Sequence, residues 1–178
     1  QPDRKALSRP DEDRSNWSQA THPTWLAGRW EAFTACFGPW NGQASGKVAS
    51  TLLVDGANGF ASTWLADFLR QRGVACREVS SPQRTLNEGC GAGDFSPTQT
   101  WTFDEAKASP HTMLRQLKSA PAGQLVGAAL DGDGDRCLFV EATETGFAVV
   151  DGDAMGAMLL QASADQAWSF AASIESDM

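Results

Sequence analysis

The sequence has no tyrosine, only two histidines and only four cysteines in 178 residues. Those cysteines, Cys36, Cys76, Cys90 and Cys137, are widely separated and form no CxxC pair. They read as free thiols of a reducing compartment, so the expected location is cytoplasmic. No apolar run approaches the roughly 18–20 residues that span a bilayer, which excludes an integral membrane protein and leaves no membrane partner to expect. The first fifteen residues are charged throughout, so no secretory leader is expected in them. Basic residues are also scarce. Fourteen Lys and Arg face 22 Asp and Glu, a net charge of −8, and nucleic acid is therefore not an expected partner. From residue 131 to 178 there are ten acids and one base, whereas residues 1–130 carry twelve acids and thirteen bases. A deficit placed that way suggests a bound cation or a phosphate-handling neighbour. The seven tryptophans are assigned to core and interdomain packing.

With 42% hydrophobic and 20% charged residues, the chain has a globular composition, long enough for one ordinary domain and part of another. It opens with Gln and not Met, so it is expected to be a piece of a longer polypeptide. Residues 1 to about 24 are polar and contain Pro2, Pro10 and Pro23, as a linker or domain edge would. Leu26, Trp30, Phe33 and Phe37 then recur at helical spacing until Gly38-Pro39 stops them. The small polar run from Asn41 to Lys47 marks a hinge. On this basis residues 1–47 form a linker and helix from a preceding domain, 48–150 an α/β domain, and 151–178 the truncated start of another.

Within 48–150, strand and helix signals alternate. Leu52-Leu53-Val54 reads as a buried strand, followed by the turn Asp55 to Gly59. Phe60, Trp64, Leu65, Phe68 and Leu69 mark a helix face, and Val74 to Val79 a second strand. A long Gly-rich loop, Leu86 to Asp94, leads to a helix expected around Met113, Leu114 and Leu117. A third strand spans Leu125 to Leu130. The rhythm predicts an α/β fold of three layers (α/β/α) with a mostly parallel sheet. A hairpin is expected at Cys137 to Val140 and Phe147 to Val150, then a helix from Met155, and a strand over Ser169 to Ile174.

The strongest chemical signal is Asp131-Gly132-Asp133-Gly134-Asp135-Arg136, directly after the apolar strand LVGAAL. Three carboxylates in five residues repel one another unless solvent or a cation compensates them. Oxygen-only donors suit a hard ion, Mg²⁺ before Ca²⁺ or Mn²⁺. The two glycines let alternate side chains converge on one point. Arg136 beside them offers a planar fork for a phosphate. A solvated Asp-Gly turn is the plain competing reading. An EF-hand loop would need Gly at position six and Glu at position twelve, where this chain has Arg136 and Ala142. A haloacid-dehalogenase-like phosphatase would place Thr or Val where Asp135 stands; it remains an alternative, as does a non-catalytic metal- or phosphosugar-binding module.

These residues resemble the α-D-phosphohexomutases, whose metal loop has the form DGDxDR at the end of a strand in the second of four domains. Three further segments agree in order and approximate spacing. LLVDGANG (Leu52 to Gly59) resembles the opening of that second domain, LNEGCGAGD (Leu86 to Asp94) its (L/V)NxxCGA loop, and VVDGDAMGAMLL (Val149 to Leu160) the junction with the third domain. The Cys-Gly-Ala loop is most like the branch acting on amino sugars, phosphoglucosamine mutase and phosphoacetylglucosamine mutase. The resemblance implies transfer of a phosphoryl group between the 1- and 6-positions of a hexose or hexosamine phosphate, through a phosphoserine on the enzyme. It implies Asp131, Asp133 and Asp135 as Mg²⁺ ligands and Arg136 as a phosphate contact. A phosphosugar substrate and the remaining domains of the same enzyme are the implied partners.

The family's serine loop, roughly TASHNP, has no counterpart here. Thr21-His22-Pro23 lacks both its serine and its asparagine. No catalytic nucleophile is therefore assigned in this chain, which by itself is expected to be inactive. His22 is read as a linker residue and His111 as a helix-start or surface histidine. Asp55 and Asn58 are read as turn stabilisers, Cys90 as a packed thiol, and Asp151 and Asp153 as helix caps.

Overall fold

The structure, a computed structural model, describes residues 22–37 and 48–162. The chain divides into two units, Gln1–Gln43 and Ala44–Met178. In the first, helix α1 spans His22–Phe37, at the spacing expected from its apolar residues. It begins inside the segment read as a linker, and His22 is its first residue. Pro23 sits in the first turn, where a missing backbone N–H costs nothing. The Thr34 hydroxyl donates back to the Trp30 carbonyl at 3.0 Å.

The second unit is built on a six-stranded sheet. Its strands are β1 (Val48–Asp55), β2 (Cys76–Glu78), β3 (Thr100–Thr102), β4 (Leu125–Leu130), β5 (Cys137–Ala142) and β6 (Gly146–Val150), in the order β2-β1-β4-β5-β6-β3. Strand β1 pairs parallel with β2 and with β4. The β4–β5, β5–β6 and β6–β3 pairings are antiparallel. Thus β1, β2, β4 and β6 all point the same way. The α/β class holds, but parallel pairing is confined to the β2-β1-β4 half. The reason is connection length. Short loops link β4 to β5 and β5 to β6, and a short loop can join only antiparallel neighbours; the expected hairpin is one of these.

Two hydrophobic layers cover the two faces. Leu52, Val54, Cys76 and Ala128 form one with Ala66, from helix α2 (Leu65–Arg70), while Leu65 and Leu69 pack against it. Leu53, Val126, Ala129, Leu138 and Val140 form the other with Met113, Leu114 and Ala106. Ala106 belongs to helix α3 (Phe103–Ala108). Alternation along β1 sends Leu53 to one side and Leu52 and Val54 to the other, so a central strand is buried on both faces. This gives the expected three layers.

The helix expected around Met113 to Leu117 is only a single 3₁₀ turn, Leu114–Gln116. The α-helix of that crossover is α3. Its start is set by a capping box, in which the Thr102 hydroxyl accepts from the Glu105 amide and the Glu105 carboxylate accepts from the Thr102 amide. Apolar spacing missed it because six residues hold too little periodicity. Beyond β6 the expected helix, α4, spans Gly152–Ala162; it begins three residues before Met155 and takes Asp153 into its first turn. Asp151 Oδ1 accepts from the Ala154 amide at 2.9 Å and caps it. The strand expected over Ser169 to Ile174 lies outside the described residues. No helix among the described residues is long and apolar enough to cross a membrane.

Candidate metal centre

The chain runs from β1 through α2 to β2 on one side, then returns to β4 on the other side of β1. The carboxyl ends of β1 and β4 therefore flank a point where the strand order reverses, the place where open α/β sheets bind ligands. Three loops meet there: the turn after β1, the Leu86–Asp94 loop and the acidic loop after β4.

The first turn is held in an uncommon conformation. Ala57 and Asn58 have φ of 57° and 56°, and the Gly59 amide donates to the Gly56 carbonyl at 2.8 Å. Left-handed backbone at an alanine is strained, and persists only where surroundings over-determine it. Here Asp55 Oδ1 accepts from the Ala57 amide at 2.9 Å. The Ala57 carbonyl accepts from the Asn87 amide at 2.9 Å. The Asn58 side chain donates to the Thr85 carbonyl and accepts from the Ser81 amide, both at 2.8 Å. Asp55 and Asn58 thus stabilise the turn, as read from the sequence.

Close backbone approach joins the three loops. A Cβ on Gly59 would lie 2.2 Å from the Gly132 carbonyl oxygen, and one on Gly132 would lie 2.8 Å from Leu86 Cδ1. Gly91, with φ of 80°, would place a Cβ 2.4 Å from Ala57 Cβ and 2.7 Å from the Leu130 carbonyl oxygen. At Gly59 and Gly91, where the neighbouring atoms include backbone, the contact requires the absence of a side chain; at Gly132 the exposed Leu86 side chain can move aside.

The acidic loop brings its three carboxylates together: one oxygen each from Asp131, Asp133 and Asp135 lies within 4.8 Å of the others. Asp131 is the anchored member. Its Oδ1 accepts from the Gly134 amide at 3.1 Å and the Arg136 amide at 3.2 Å, closing the turn that Gly134, at φ of 80°, makes possible. Burial pushes its pKa up, but these amide bonds, an Asp135 contact and the Arg136 charge outweigh it and leave it lowered. Asp133 and Asp135 are exposed. The charges of Asp133 and then Asp131 push the Asp135 pKa up. Arg136 is 60% exposed, with Nε 4.0 Å from Asp131 Oδ2.

The donor set suits Mg²⁺. It is all oxygen, at least one member is ionised and fixed, and two are solvent-facing. An octahedral shell at about 2.1 Å needs neighbouring oxygens roughly 3 Å apart, so the exposed Asp133 and Asp135 side chains must draw inward. Their exposure lets them do so without repacking the core.

His111 departs from the sequence reading. It is buried, 3% exposed, with Nε2 3.0 Å from the Gly91 carbonyl oxygen and Nδ1 3.3 Å from the Met113 amide nitrogen. Its ring stacks obliquely on Phe95 at 4.6 Å between centroids. Only the following Met113-Leu114 pair, both buried, signalled this in the sequence. Glu78 was also missed. It ends β2, and its Oε1 accepts from the Gly56 and Ser80 amides at 3.1 and 2.9 Å. Cys90 is packed as expected, 1% exposed, and burial, then Asp55, pushes its thiol pKa up to about 11.

No protein-family model matches the chain, and no solved structure matches it. Over 111 residues it is 36% identical to the phosphoglucosamine mutase of Rhodococcus erythropolis (strain PR4 / NBRC 100887), a stretch covering 61% of this chain. The chain spans only 20% of that relative's length. This similarity supports, at the level of the family, the phosphohexomutase resemblance carried by the four sequence segments.

Proposed function

We propose that this chain is the metal-binding portion of a phosphohexomutase that moves a phosphoryl group between the 1- and 6-positions of a hexose or hexosamine phosphate. Glucosamine or N-acetylglucosamine phosphate is the favoured substrate. The observation that carries the reading is the convergence of three carboxylates within 4.8 Å at a strand end, at the crevice where the strand order reverses. The similarity to a phosphoglucosamine mutase supports the sugar class.

In this reading Asp131, Asp133 and Asp135 hold Mg²⁺, which when bound supplies electrostatic stabilisation to a phosphoryl group carried on an enzyme serine. Asp131 is pre-set by its two amide bonds, while Asp133 and Asp135 complete the cage from solvent. Arg136, 60% exposed beside Asp131, can turn its guanidinium toward a phosphate, where its planar fork makes paired hydrogen bonds. The domain limits at 48 and 150, the placement of 151–178 in a following domain and a cytoplasmic setting belong to the same proposal. Purified alone with Mg²⁺ and glucosamine 6-phosphate, the 178-residue chain should bind the ion and yield no 1-phosphate by phosphorus NMR. Turnover by this chain alone would contradict the assignment of the nucleophile elsewhere.

A further inference from the structure

Asp55 and His111 are two buried titratable side chains that the proposed phosphoryl transfer does not use. Asp55 is 0% exposed and His111 3%. His111 Nε2 stands 3.8 Å from Asp55 Oδ2, too far for a hydrogen bond. Instead both grip one residue. Asp55 Oδ2 accepts from the Gly91 amide at 3.0 Å, and His111 Nε2 lies 3.0 Å from the Gly91 carbonyl oxygen. His111 Nδ1 faces the Met113 N–H, so Nδ1 is the acceptor and Nε2 carries the proton that Gly91 receives. Gly91 is thus held through both its amide and its carbonyl.

The held residue is wedged under the acidic loop. Its Cα leaves no room for a methyl between Ala57 and the Leu130 carbonyl oxygen, and Leu130 directly precedes Asp131. Asp55 also fixes the Ala57 amide through its other oxygen. One carboxylate therefore ties the turn after β1 to the Gly91 loop, and the histidine locks that loop from the other end.

We propose that Asp55 and His111 are positioning residues that set the affinity of the Asp131–Asp133–Asp135 centre by clamping Gly91 against the end of β4. The inference rests on the reading of that loop as a cation site. A residue that orients ligands through hydrogen bonds typically changes metal affinity by about 10–100-fold when removed, and an indirect clamp belongs at the lower end.

The test uses the 178-residue chain and its His111→Leu, His111→Gln and Asp55→Asn variants. Mn²⁺ affinity is measured by paramagnetic resonance at a temperature where circular dichroism shows each folded. Amide shifts of Gly134 and Arg136, which report the Asp131 turn, are recorded without metal. His111→Leu should weaken Mn²⁺ about tenfold and move both amides. His111→Gln, whose side-chain N–H can still reach the Gly91 carbonyl, should recover most of the affinity. Equal affinity in parent and His111→Leu, or no recovery in His111→Gln, overturns the clamp. If His111→Leu does not fold, Asp55→Asn decides by the same comparison, because it keeps the shape and disturbs one of two amide bonds. If the parent binds no Mn²⁺, the cation reading fails, and the clamp is then judged by the amides alone: unmoved shifts overturn it as well.

Discussion

Gly59 and Gly132 meet backbone to backbone, so closely that a Cβ on Gly59 would lie 2.2 Å from the Gly132 carbonyl oxygen. This contact locks the acidic loop to the turn after β1. Gly59→Ala should therefore force the two loops apart, at a cost of about 1–3 kcal/mol as for other overpacked sites. Gly73→Ala is a poor control because Gly73 has φ of 81°; Gly93→Ala, where a Cβ meets nothing within 4 Å, is a better one. A denaturant melt showing equal stability for Gly59→Ala and Gly93→Ala would contradict the packing described.

The Thr102–Glu105 capping box gives a second expectation. Thr102→Ala removes the side-chain acceptor for the Glu105 amide and should cost about 1 kcal/mol. The Thr102 amide and then its hydroxyl hold the Glu105 pKa below its ordinary value. A carboxyl lowered in the folded state adds stability above its unfolded pKa and loses it as pH falls through the folded one. The cost of Thr102→Ala should thus shrink on acidification below the ordinary glutamate range. A cost that does not change with pH would contradict the bond from the Thr102 hydroxyl to the Glu105 carboxylate, the titrating contact that Thr102→Ala removes.

Much of this was legible in the sequence where one signal sufficed. LVGAAL became the strand Leu125–Leu130 because a continuous apolar run, bounded by Pro121 to Gln124 before it and the acidic loop after it, can bury both faces. The three carboxylates converge because the Gly spacing that suggested a tight turn does make one. What was not legible depended on distant partners. His111 looked like a surface residue because Asp55 and Gly91, which surround it, lie 56 and 20 positions earlier in the chain. The antiparallel half of the sheet could be foreseen only in its hairpin, since strand β3, three residues long, carries too little pattern to be found.

The thiols give a third expectation. Burial raises the pKa of both Cys90 and Cys137 to about 11, Asp55 adding to the first and Asp131 to the second. A thiol raised in the folded state contributes stability below its unfolded pKa of about 8.5 and loses it as pH rises through the folded value. The protein should lose stability between those two values. Alkylation of both cysteines by iodoacetamide at pH 8 should also be far slower in the native chain than in urea. Rapid native labelling of Cys90 would show that the thiol is not held as described.

The central claim is that the loop from Asp131 to Arg136 is a cation site and not a solvated turn. Asp133 is the leading cause of the raised pKa at Asp135, so without an ion the three carboxylates oppose one another. Asp133→Asn relieves that repulsion and removes one ligand, and the metal-free variant should be as stable as the parent or more so. A ligand that binds only the folded state raises stability by an amount set by its concentration relative to its dissociation constant. The measurement is a thermal melt titrated with MgCl₂ at constant ionic strength, parent against Asp133→Asn. The account predicts a Mg²⁺-dependent rise in Tm for the parent that is largely lost in the variant. Equal shifts in the two proteins would contradict it and leave the loop a solvated turn.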